Sequence, residues 1–346
     1  MSHHIGSKKM FIIIGASSFI GVYTATHFIE QGEKIVVTGR NNKFKEYYDS
    51  LGAEYINLDL TKQEDFEKLP KEGVKGVILI AGALPASENA DLKEKENADQ
   101  YVKVNILGTC NALEYCRKNG IKRLINTISY GDVANNWRIN PPIEESEPRN
   151  FNFTGDHAVY VISKNAASDI AEYYNQQHGM KNAWFRLPPV YGVGPHGYLK
   201  VNGKIVKSGL QIFIDKAKAG EDIEVYGHLA RDTVYVKDVA QAYYKAAKSD
   251  HTYGLYNITS GKATTLLEQA ETCAALFAQK NKSRVIYRND IKNPGKSYVF
   301  SIEKAKRDFG YNPLYTDFRD LISDYIQVSK MGLSNFICTS ISIILK

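Results

Sequence analysis

The chain has 346 residues, of which 43% are hydrophobic and 24% charged, and its formal net charge is +6. This length and composition allow a large buried core, in one elaborated domain or in two. Lysines and arginines are dispersed among acids and form no basic stripe interleaved with aromatic residues, so we expect no nucleic-acid partner.

Four cysteines, at positions 110, 116, 273 and 338, lack both the paired spacing of metal ligands and the density of a secreted scaffold. We therefore expect reduced thiols in a cytoplasmic protein and no metal site. Residues 1–8 lack the apolar core of a signal peptide. The apolar stretch Phe336–Leu345 is shorter than the ~20 residues that span a bilayer, so no membrane association is expected.

The first predicted unit is a strand, a tight turn and a helix. Phe11–Ile14 is an apolar run that leads into Gly15, and from Gly21 apolar residues recur at helical spacing. Such a unit can bind a dinucleotide pyrophosphate, because the turn brings backbone close to the phosphates and the helix N-terminus faces the anion. Ser18 stands where the usual pattern has a middle glycine, and an ordinary βα turn is the alternative.

The second predicted strand, Glu33–Thr38, ends at the position where dinucleotide-binding folds distinguish their cofactors. An acid there would bind the ribose hydroxyls of NAD, whereas an arginine accommodates the extra phosphate of NADP. Gly39 replaces the acid, Arg40 follows, and Lys43 is close by. We expect NADP(H) to be favoured, with NAD(H) not excluded; a solvated turn arginine is the alternative.

Strands and helices continue to alternate along the chain. The further predicted elements are strands at Ala53–Leu58, Gly76–Ile80 and Lys122–Asn126, and helices at Asp65–Leu69 and about Gln100–Asn119. This alternation predicts right-handed βαβ units and therefore a Rossmann-type α/β fold, with a doubly wound parallel sheet covered on both faces.

Two stretches carry candidate chemistry. Ser129 and Tyr130 come at the end of the fifth strand, which is the ligand-binding edge of an open parallel sheet. Tyr160 opens a predicted helix and Lys164 follows four residues later, so both lie on one helix face. The lysine ammonium and an oxidised nicotinamide would lower the pKa of the tyrosine toward neutral pH, and Ser129 would donate to the substrate oxygen. Tyr-x-x-x-Lys by itself is a common accident.

Taken together and in order, these motifs resemble the extended short-chain dehydrogenase/reductase family, in its NAD-dependent epimerase/dehydratase group. The resemblance extends from Met10 to about Tyr325. The matching segments are Gly15–Gly21, Asp59-Leu60, Ala81-Gly82, Asn105–Thr109, the set Ser129, Tyr160 and Lys164, Arg186–Gly192, Arg231–Asp238 and Tyr256–Ile258.

The resemblance implies two domains and a tail. The Rossmann domain would cover residues 8–188 plus about 232–257, and a smaller mixed α/β substrate-binding domain would cover 189–231 and 258–328, followed by a tail over 329–346. It also implies a homodimer, built through the helices that contain Asn105 and Lys164. The implied cofactor-binding residues are Gly15, Ser17, Ser18, Phe19, Ile20, Gly21, Arg40, Asp59, Leu60, Ala81, Gly82, Ala83, Asn105, Tyr160, Lys164, Pro188 and Val190.

The activity implied by the resemblance is that of an NAD(P)-dependent nucleotide-sugar epimerase or 4-keto reductase. Tyr160 would take the substrate proton as hydride moves, and Lys164 would hold the cofactor ribose and tune Tyr160. The alternatives are an NADPH-dependent reductase of a non-nucleotide carbonyl compound and a non-catalytic NADP-binding sensor.

The expected substrate is a nucleoside-diphosphate sugar, with Tyr130 and Arg231 as substrate-binding residues. Arg231 matches the arginine that grips the diphosphate in this family, and a salt bridge to Asp232 is the alternative. Against this, Pro189 stands where many nucleotide-sugar enzymes have an asparagine. Tyr130 and Gly131 replace the acid pair of the 4,6-dehydratases, so elimination of water lacks a proton carrier. The two histidines near the site, His157 and His196, are expected to be loop residues.

Overall fold

A computed structural model describes residues 9–85, 97–194, 198–201, 204–277, 282–288 and 295–330. Its helices are α1 (Phe19–Glu30), α2 (Lys45–Ser50), α3 (Ala98–Tyr101), α4 (Gly108–Lys118), α5 (Gly155–His178), α6 (Gly209–Ala219), α7 (Val236–Lys248), α8 (Leu266–Leu276), α9 (Glu303–Phe309) and α10 (Phe318–Lys330). Its strands are β1 (Met10–Ile14), β2 (Lys34–Gly39), β3 (Glu54–Asn57), β4 (Val74–Leu79), β5 (Leu124–Ser129), β6 (Ala183–Leu187), β7 (Val190–Tyr191), β8 (Tyr198–Val201), β9 (Lys204–Lys207), β10 (Ile223–Tyr226), β11 (Ala230–Asp232), β12 (Val234–Tyr235), β13 (Gly254–Asn257), β14 (Ala263–Thr265) and β15 (Val285–Arg288).

Seven strands form one sheet in the order β13-β6-β5-β4-β1-β2-β3, and every neighbouring pair is parallel. The chain leaves β1 in one direction through β2 and β3 and then resumes on the other side of β1 with β4. The carboxyl ends of β1 and β4 therefore border the switch point, where open parallel sheets bind ligands. The predicted doubly wound α/β fold is confirmed.

The sheet is buried on both faces, as the apolar run in β1 predicted. Phe11 and Ile13 belong to the hydrophobic cluster on one face, and Ile12 and Ile14 belong to the cluster on the other. All four side chains are at most 1% exposed. Fully burying an aliphatic or aromatic side chain of this size stabilises the fold by about 1.5–3 kcal/mol, so β1 anchors both layers.

Residues late in the chain complete the sheet and its helical layer. β13 pairs with β6 at the sheet edge, and α7 packs against α1. The edge of the Tyr244 ring on α7 meets the Phe28 ring on α1 with the centroids 5.4 Å apart. The remaining strands form two-stranded sheets, of which β11–β14 and β8–β9 are antiparallel while β10–β15 and β7–β12 are parallel.

Three predictions about local structure near the site were wrong. The fifth strand lies at Leu124–Ser129, two residues later at its start than predicted. The helix that carries Tyr160 begins at Gly155, because Thr154 has the extended backbone of an N-cap residue. His157 consequently lies on α5 and not in a loop. His196 and the predicted apolar tail at Phe336–Leu345 lie outside the described residues.

A buried ion pair joins the sheet to the segment after β5, a 3-10 helix at Tyr130–Asn136. Arg186 on β6 donates from Nε and Nη2 to the two carboxylate oxygens of Asp132, at 2.9 and 2.8 Å. Both side chains are 1% exposed. Arg186 Nη1 also donates to Asn257 Oδ1 on β13 at 3.0 Å. The amide of Asn257 in turn donates to the carbonyl oxygens of Ile143 and Ser301.

We predict that Asp132→Ala lowers the free energy of unfolding by about 3–5 kcal/mol, because it leaves the buried guanidinium of Arg186 uncompensated. Asp169→Ala is the matched control, since Arg149 holds Asp169 in a similar bidentate pair that is largely exposed. Loss of that exposed pair should cost about 0–1 kcal/mol. Urea denaturation measures both effects, and equal losses in the two variants would contradict the importance of the buried pair.

Candidate functional site

The turn between β1 and α1 can be built only with glycine at two positions. Gly15 has a φ of +92°, and a Cβ on it would lie 2.5 Å from the backbone nitrogen of Ala81. A Cβ on Gly21 would lie 2.1 Å from the carbonyl oxygen of Gly15. The first loop after β4, at Ala81–Ala83, therefore approaches the glycine turn at backbone distance. Main chain without side chains, which we call the glycine cradle, therefore lines the switch point, and this fits a dinucleotide pyrophosphate.

Ser18, the departure from the glycine pattern, is the N-cap of α1. Its hydroxyl donates to the carbonyl oxygen of Gly15 at 2.8 Å and accepts from the backbone nitrogen of Gly21 at 3.2 Å. A glycine could make neither bond, so the serine stabilises the same turn by a different route. The first turn of α1, which opens with Phe19 and Ile20, contains no acidic side chain that would compete with an anion.

The end of β2 has no room for the acid that would bind an NAD ribose. A Cβ on Gly39 would lie 2.2 Å from the hydroxyl oxygen of Tyr55 and 2.7 Å from Ser17 Oγ. Tyr55 donates to the carbonyl oxygen of Asn41 at 2.5 Å, and burial raises its pKa to about 12. Arg40 is exposed beside this point. The sequence does not predict this role of Tyr55. Nothing in the pattern of β3 indicates that this side chain reaches the end of β2.

Asp59 and Leu60 follow β3 and are held in a fixed turn. Asp59 accepts from the backbone nitrogen and hydroxyl of Thr61 at 3.0 and 2.8 Å, and its own nitrogen donates to Asp65. Leu60 packs so closely on Gly108 that a Cβ there would lie 2.5 Å from the leucine side chain. The pair thus sits between the end of β3 and α4.

Asn105 links the loop after β4 to α5. It lies in a π-helical segment, Val102–Leu107, between α3 and α4. Its amide accepts from the nitrogen of Ala83 at 2.8 Å and donates to the Ala83 carbonyl at 3.1 Å and to Ser163 Oγ at 2.9 Å. Single π-helical turns often occur at functional sites, and here one turns an amide toward the site.

Ser129, Tyr160 and Lys164 are buried side chains around the end of β5. Ser129 Oγ accepts from the nitrogen of Gly131 at 3.1 Å, so its proton remains available for donation. Lys164 Nζ donates to Thr127 Oγ1 at 3.1 Å. Within the described part of the chain, no hydrogen bond links Ser129, Tyr160 and Lys164 directly to one another.

Burial shifts both ionisable groups toward their neutral forms. It raises the pKa of Tyr160 well above 10 and lowers the pKa of Lys164 to about 8. Since a low dielectric disfavours charge, Tyr160 is protonated in the chain alone. A positive charge next to the phenol would lower the pKa of Tyr160, and an oxidised nicotinamide carries such a charge.

His157 lies three residues before Tyr160, with the two ring centroids 5.9 Å apart. Its Nε2 is 2.7 Å from the position that a Cβ on Gly131 would occupy, and Ser129 Oγ is 3.2 Å from the same position. Burial lowers the pKa of His157 below 6.5, despite the charge of Asp156. The imidazole is therefore mainly neutral at pH 7 and lies beside Gly131.

Three aromatic rings, those of Tyr130, Trp137 and Tyr298, form what we call the three-ring cluster next to Ser129. Tyr130 stacks on Trp137 with the centroids 5.2 Å apart and the planes at 2°, and Tyr298 lies 4.6 Å from Trp137. Tyr298 is far from Ser129 in the sequence, and no local pattern connects either Trp137 or Tyr298 with Ser129.

Arg231 lies close enough to this cluster for its charge to oppose the pKa increases that burial causes in Tyr130 and Tyr298. The alternative salt bridge to Asp232 was wrong. The Asp232 carboxylate instead accepts from the nitrogen and hydroxyl of Ser260 and from the nitrogen of Phe300. Among the described residues, no carboxylate lies within ion-pair distance of Arg231, so its guanidinium can meet an anionic ligand.

Pro188 and Val190 are the last predicted cofactor residues. Val190 begins the short strand β7, and Pro188 lies two residues before it. Val234 on β12 pairs with Val190, and its nitrogen donates to the Pro189 carbonyl at 3.2 Å. A Cβ on Gly192 would lie 2.9 Å from the Phe19 ring, so this segment passes beside the start of α1. The predicted cofactor residues at the ends of β1, β4 and β6 thus converge on one edge of the sheet.

The described residues contain neither a metal-binding cluster nor a membrane-spanning helix. No group of three or more histidine, cysteine, aspartate or glutamate side chains could hold a metal ion there. Among the helices of the described ranges, none has the length and apolarity that a membrane crossing requires. Cys110, Cys116 and Cys273 are free thiols, and Cys338 lies outside these ranges.

Comparison with known proteins gives a consistent result. The model of the NAD dependent epimerase/dehydratase family matches residues 11–259. A UDP-glucuronic acid decarboxylase of Arabidopsis thaliana is 27% identical over 317 residues, covering 89% of this chain and 85% of that protein. A dTDP-4-dehydro-6-deoxyglucose reductase of Escherichia coli is 22% identical over 314 residues, covering 88% and 93%. The solved UDP-glucose 4-epimerase of Thermotoga maritima, with UDP-glucose, superimposes with a TM-score of 0.73 at 21% identity, covering 92% and 99%.

Proposed function

This chain belongs to the NAD dependent epimerase/dehydratase family, within the extended short-chain dehydrogenases/reductases, and from that premise we propose that it is a nucleotide-sugar epimerase or 4-keto reductase. The observation that carries the proposal is the pair of cations without carboxylate partners among the described residues, Lys164 beside the glycine cradle and Arg231 beside the three-ring cluster. Each can meet one anionic or hydroxyl-rich ligand: the cofactor at Lys164 and the substrate at Arg231.

We assign the proton transfer to Tyr160. When bound, the nicotinamide of the cofactor supplies the acceptor and donor of hydride. Tyr160 takes the proton of the reacting sugar hydroxyl and returns it when the carbonyl is reduced, Ser129 donates a hydrogen bond to the same oxygen, and Lys164 holds the ribose. The Lys164 ammonium and the charge of the oxidised ring stabilise the phenolate, which offsets the desolvation that raises the pKa of Tyr160.

The substrate class follows from Arg231 and from what the site lacks. A diphosphate in a partly desolvated cleft requires a cation, and a guanidinium binds phosphate oxygens in bidentate fashion. Tyr130 and Gly131 provide no carboxylate next to Ser129, so dehydration of the sugar is disfavoured. We place the substrate between the cofactor edge of the sheet and the segments 189–231 and 258–328, which we propose as the substrate domain.

Two other functions stay open to test. A reductase of a non-nucleotide carbonyl compound would use the same Ser129, Tyr160 and Lys164 but would need no cation at Arg231. A non-catalytic NADP-binding sensor would need neither Tyr160 nor Ser129 as a proton carrier, so their retention favours an enzyme.

For the cofactor we propose NADP(H), with NAD(H) as the other candidate. Tyr55 and Ser17 occupy the space next to Gly39, and Arg40 projects into solvent at the end of β2. We also propose a cytoplasmic homodimer. The helices proposed to meet across its two-fold axis expose apolar side chains, including Leu107 at 46% and Ile162 at 40%.

Tyr160→Phe should leave folding and cofactor binding intact while reducing turnover by about 10²–10⁴-fold, because only the transferable proton is lost. Tyr173→Phe on the same helix is the matched control, since Tyr173 is 57% exposed and should keep full turnover. Steady-state kinetics with a nucleotide sugar measures both. Near-normal turnover in Tyr160→Phe would remove this residue from the mechanism.

Arg40→Ala should narrow the preference for NADP(H) over NAD(H), because the exposed guanidinium makes charge-assisted bonds to the extra phosphate. The control is Arg319→Ala, which removes an exposed arginine on α10. Fluorescence titration with NADPH and NADH at low and high salt gives both affinities, and the NADPH preference should weaken as salt rises. Equal affinities for the two cofactors in the unmodified protein would overturn the NADP assignment.

Arg231→Ala should weaken binding of a nucleoside diphosphate about tenfold or more, as expected for loss of a charge-assisted contact of about 1.4 kcal/mol. Arg231→Lys keeps the charge but loses the bidentate geometry, so an intermediate affinity is expected. Calorimetry with UDP, dTDP, GDP and CDP on the cofactor-loaded protein measures this. If none of the four binds, the nucleotide-sugar assignment fails and the non-nucleotide carbonyl reductase takes its place.

A further inference from the structure

β5 presents a second hydroxyl two residues before Ser129. Successive residues of a strand point to opposite sides, so Thr127 and Ser129 point to the same side. On the other side, Asn126 donates to Thr109 Oγ1 at 3.2 Å, and Ile128 packs in the hydrophobic cluster that includes α4 residues. The two hydroxyls of β5 therefore face the same region at the end of the strand.

The Thr127 hydroxyl accepts a hydrogen bond from the most deeply buried cation of the site. Lys164 is 3% exposed, and its ammonium donates to Thr127 Oγ1 at 3.1 Å. Among the described residues, no other group accepts a hydrogen bond from this ammonium. A Cβ on Gly82 would lie 3.1 Å from both Lys164 Nζ and Asn105 Oδ1, so a side chain at Gly82 would crowd the space in front of the ammonium.

We propose that Thr127 is a positioning residue: its hydroxyl oxygen holds the Lys164 ammonium at the point where it meets the cofactor ribose and sustains its positive charge. The ammonium has three donors, and Thr127 uses one of them. The other two remain for the ribose hydroxyls. This inference rests on the proposed role of Lys164 in holding the cofactor.

Burial destabilises the positive charge of Lys164. Burial lowers its pKa to about 8, and no carboxylate offsets this effect. Tyr160 is the titratable neighbour on the same helix, and His157 and Asp156 lie a turn further on, where Asp156 accepts from Tyr101. Removing the Thr127 oxygen removes a bond to the charged form, so the pKa of Lys164 should fall further.

Lys164 is cationic below its pKa, so functions that need the charge persist at low pH and are lost as pH rises through that value. Loss of the Thr127 acceptor should move this alkaline limb to lower pH. A merely structural role for Thr127 would change stability and leave the limb in place.

The test compares Thr127→Val, which is nearly isosteric and lacks the hydroxyl, with Thr127→Ser, which restores it. Thr252→Val is the matched control: Thr252 is fully buried, donates to the Ala246 carbonyl at 2.8 Å and is not part of the site. The pH dependence of NADPH and NADH binding, followed by fluorescence, is measured for the full chain with each substitution. If Thr127→Val does not fold, Thr127→Ala makes the same comparison.

Thr127→Val should weaken reduced-cofactor binding about tenfold and move the alkaline limb down by about one pH unit, the shift equivalent to a tenfold change. Thr127→Ser should behave as the unmodified protein, and Thr252→Val should lower stability without moving the limb. An unchanged limb and affinity in Thr127→Val would overturn the inference. If the unmodified protein binds neither cofactor, the proposed function fails instead, so the two failures are distinguishable.

Discussion

The placement of the site depends on the buried guanidinium of Arg186. Arg186 lies on β6 and holds the Asp132 carboxylate, two residues beyond Tyr130 and three beyond Ser129. Through Asn257 it also fixes the edge strand β13 and the loop at Ile143. A buried ion pair of this kind gives little net stability, since desolvation offsets the attraction, but leaving one partner alone is costly. The pair therefore fixes the chain path after Ser129, and with it the positions of Tyr130 and Gly131.

The described lysines and arginines differ in whether a carboxylate lies beside them. Many of them form ion pairs with nearby carboxylates, as in the pair of Lys75 and Glu33. Lys164 and Arg231 differ, because the groups near them are hydroxyls and aromatic rings. Cations kept without a neutralising acid in a cleft are disfavoured by desolvation unless an anion or polar ligand arrives. In the function we propose, a dinucleotide at Lys164 and a diphosphate-linked substrate at Arg231 supply these partners.

Much of this was predictable from the sequence, for identifiable physical reasons. The apolar run of β1, the glycine turn and the alternation of strands and helices determine a doubly wound sheet, because few other arrangements bury such strands on both faces. The bond between Lys164 and Thr127, the filling of the Gly39 site by Tyr55, and the stacking of Tyr130 on Trp137 were not predictable. Each joins residues whose proximity depends on side-chain packing or on a loop path that no local periodicity encodes. Arg231 has no ion pair with Asp232 because the Asp232 carboxylate accepts from Ser260 and Phe300 instead. Only the tertiary structure brings these donors to Asp232.

The most direct measurement follows the hydrogen at C4 of the sugar. The protein, loaded with oxidised cofactor, is mixed with nucleotide sugars deuterated at C4, beginning with UDP-glucose. The reaction is quenched during turnover, before the hydride returns to the sugar, and the reduced nicotinamide is analysed by mass spectrometry. If Tyr160 and Lys164 support hydride transfer from a nucleotide sugar, deuterium appears on the nicotinamide in the unmodified protein and is absent or strongly delayed in Tyr160→Phe. A bound cofactor that stays unlabelled with every nucleotide sugar of the series would contradict the account.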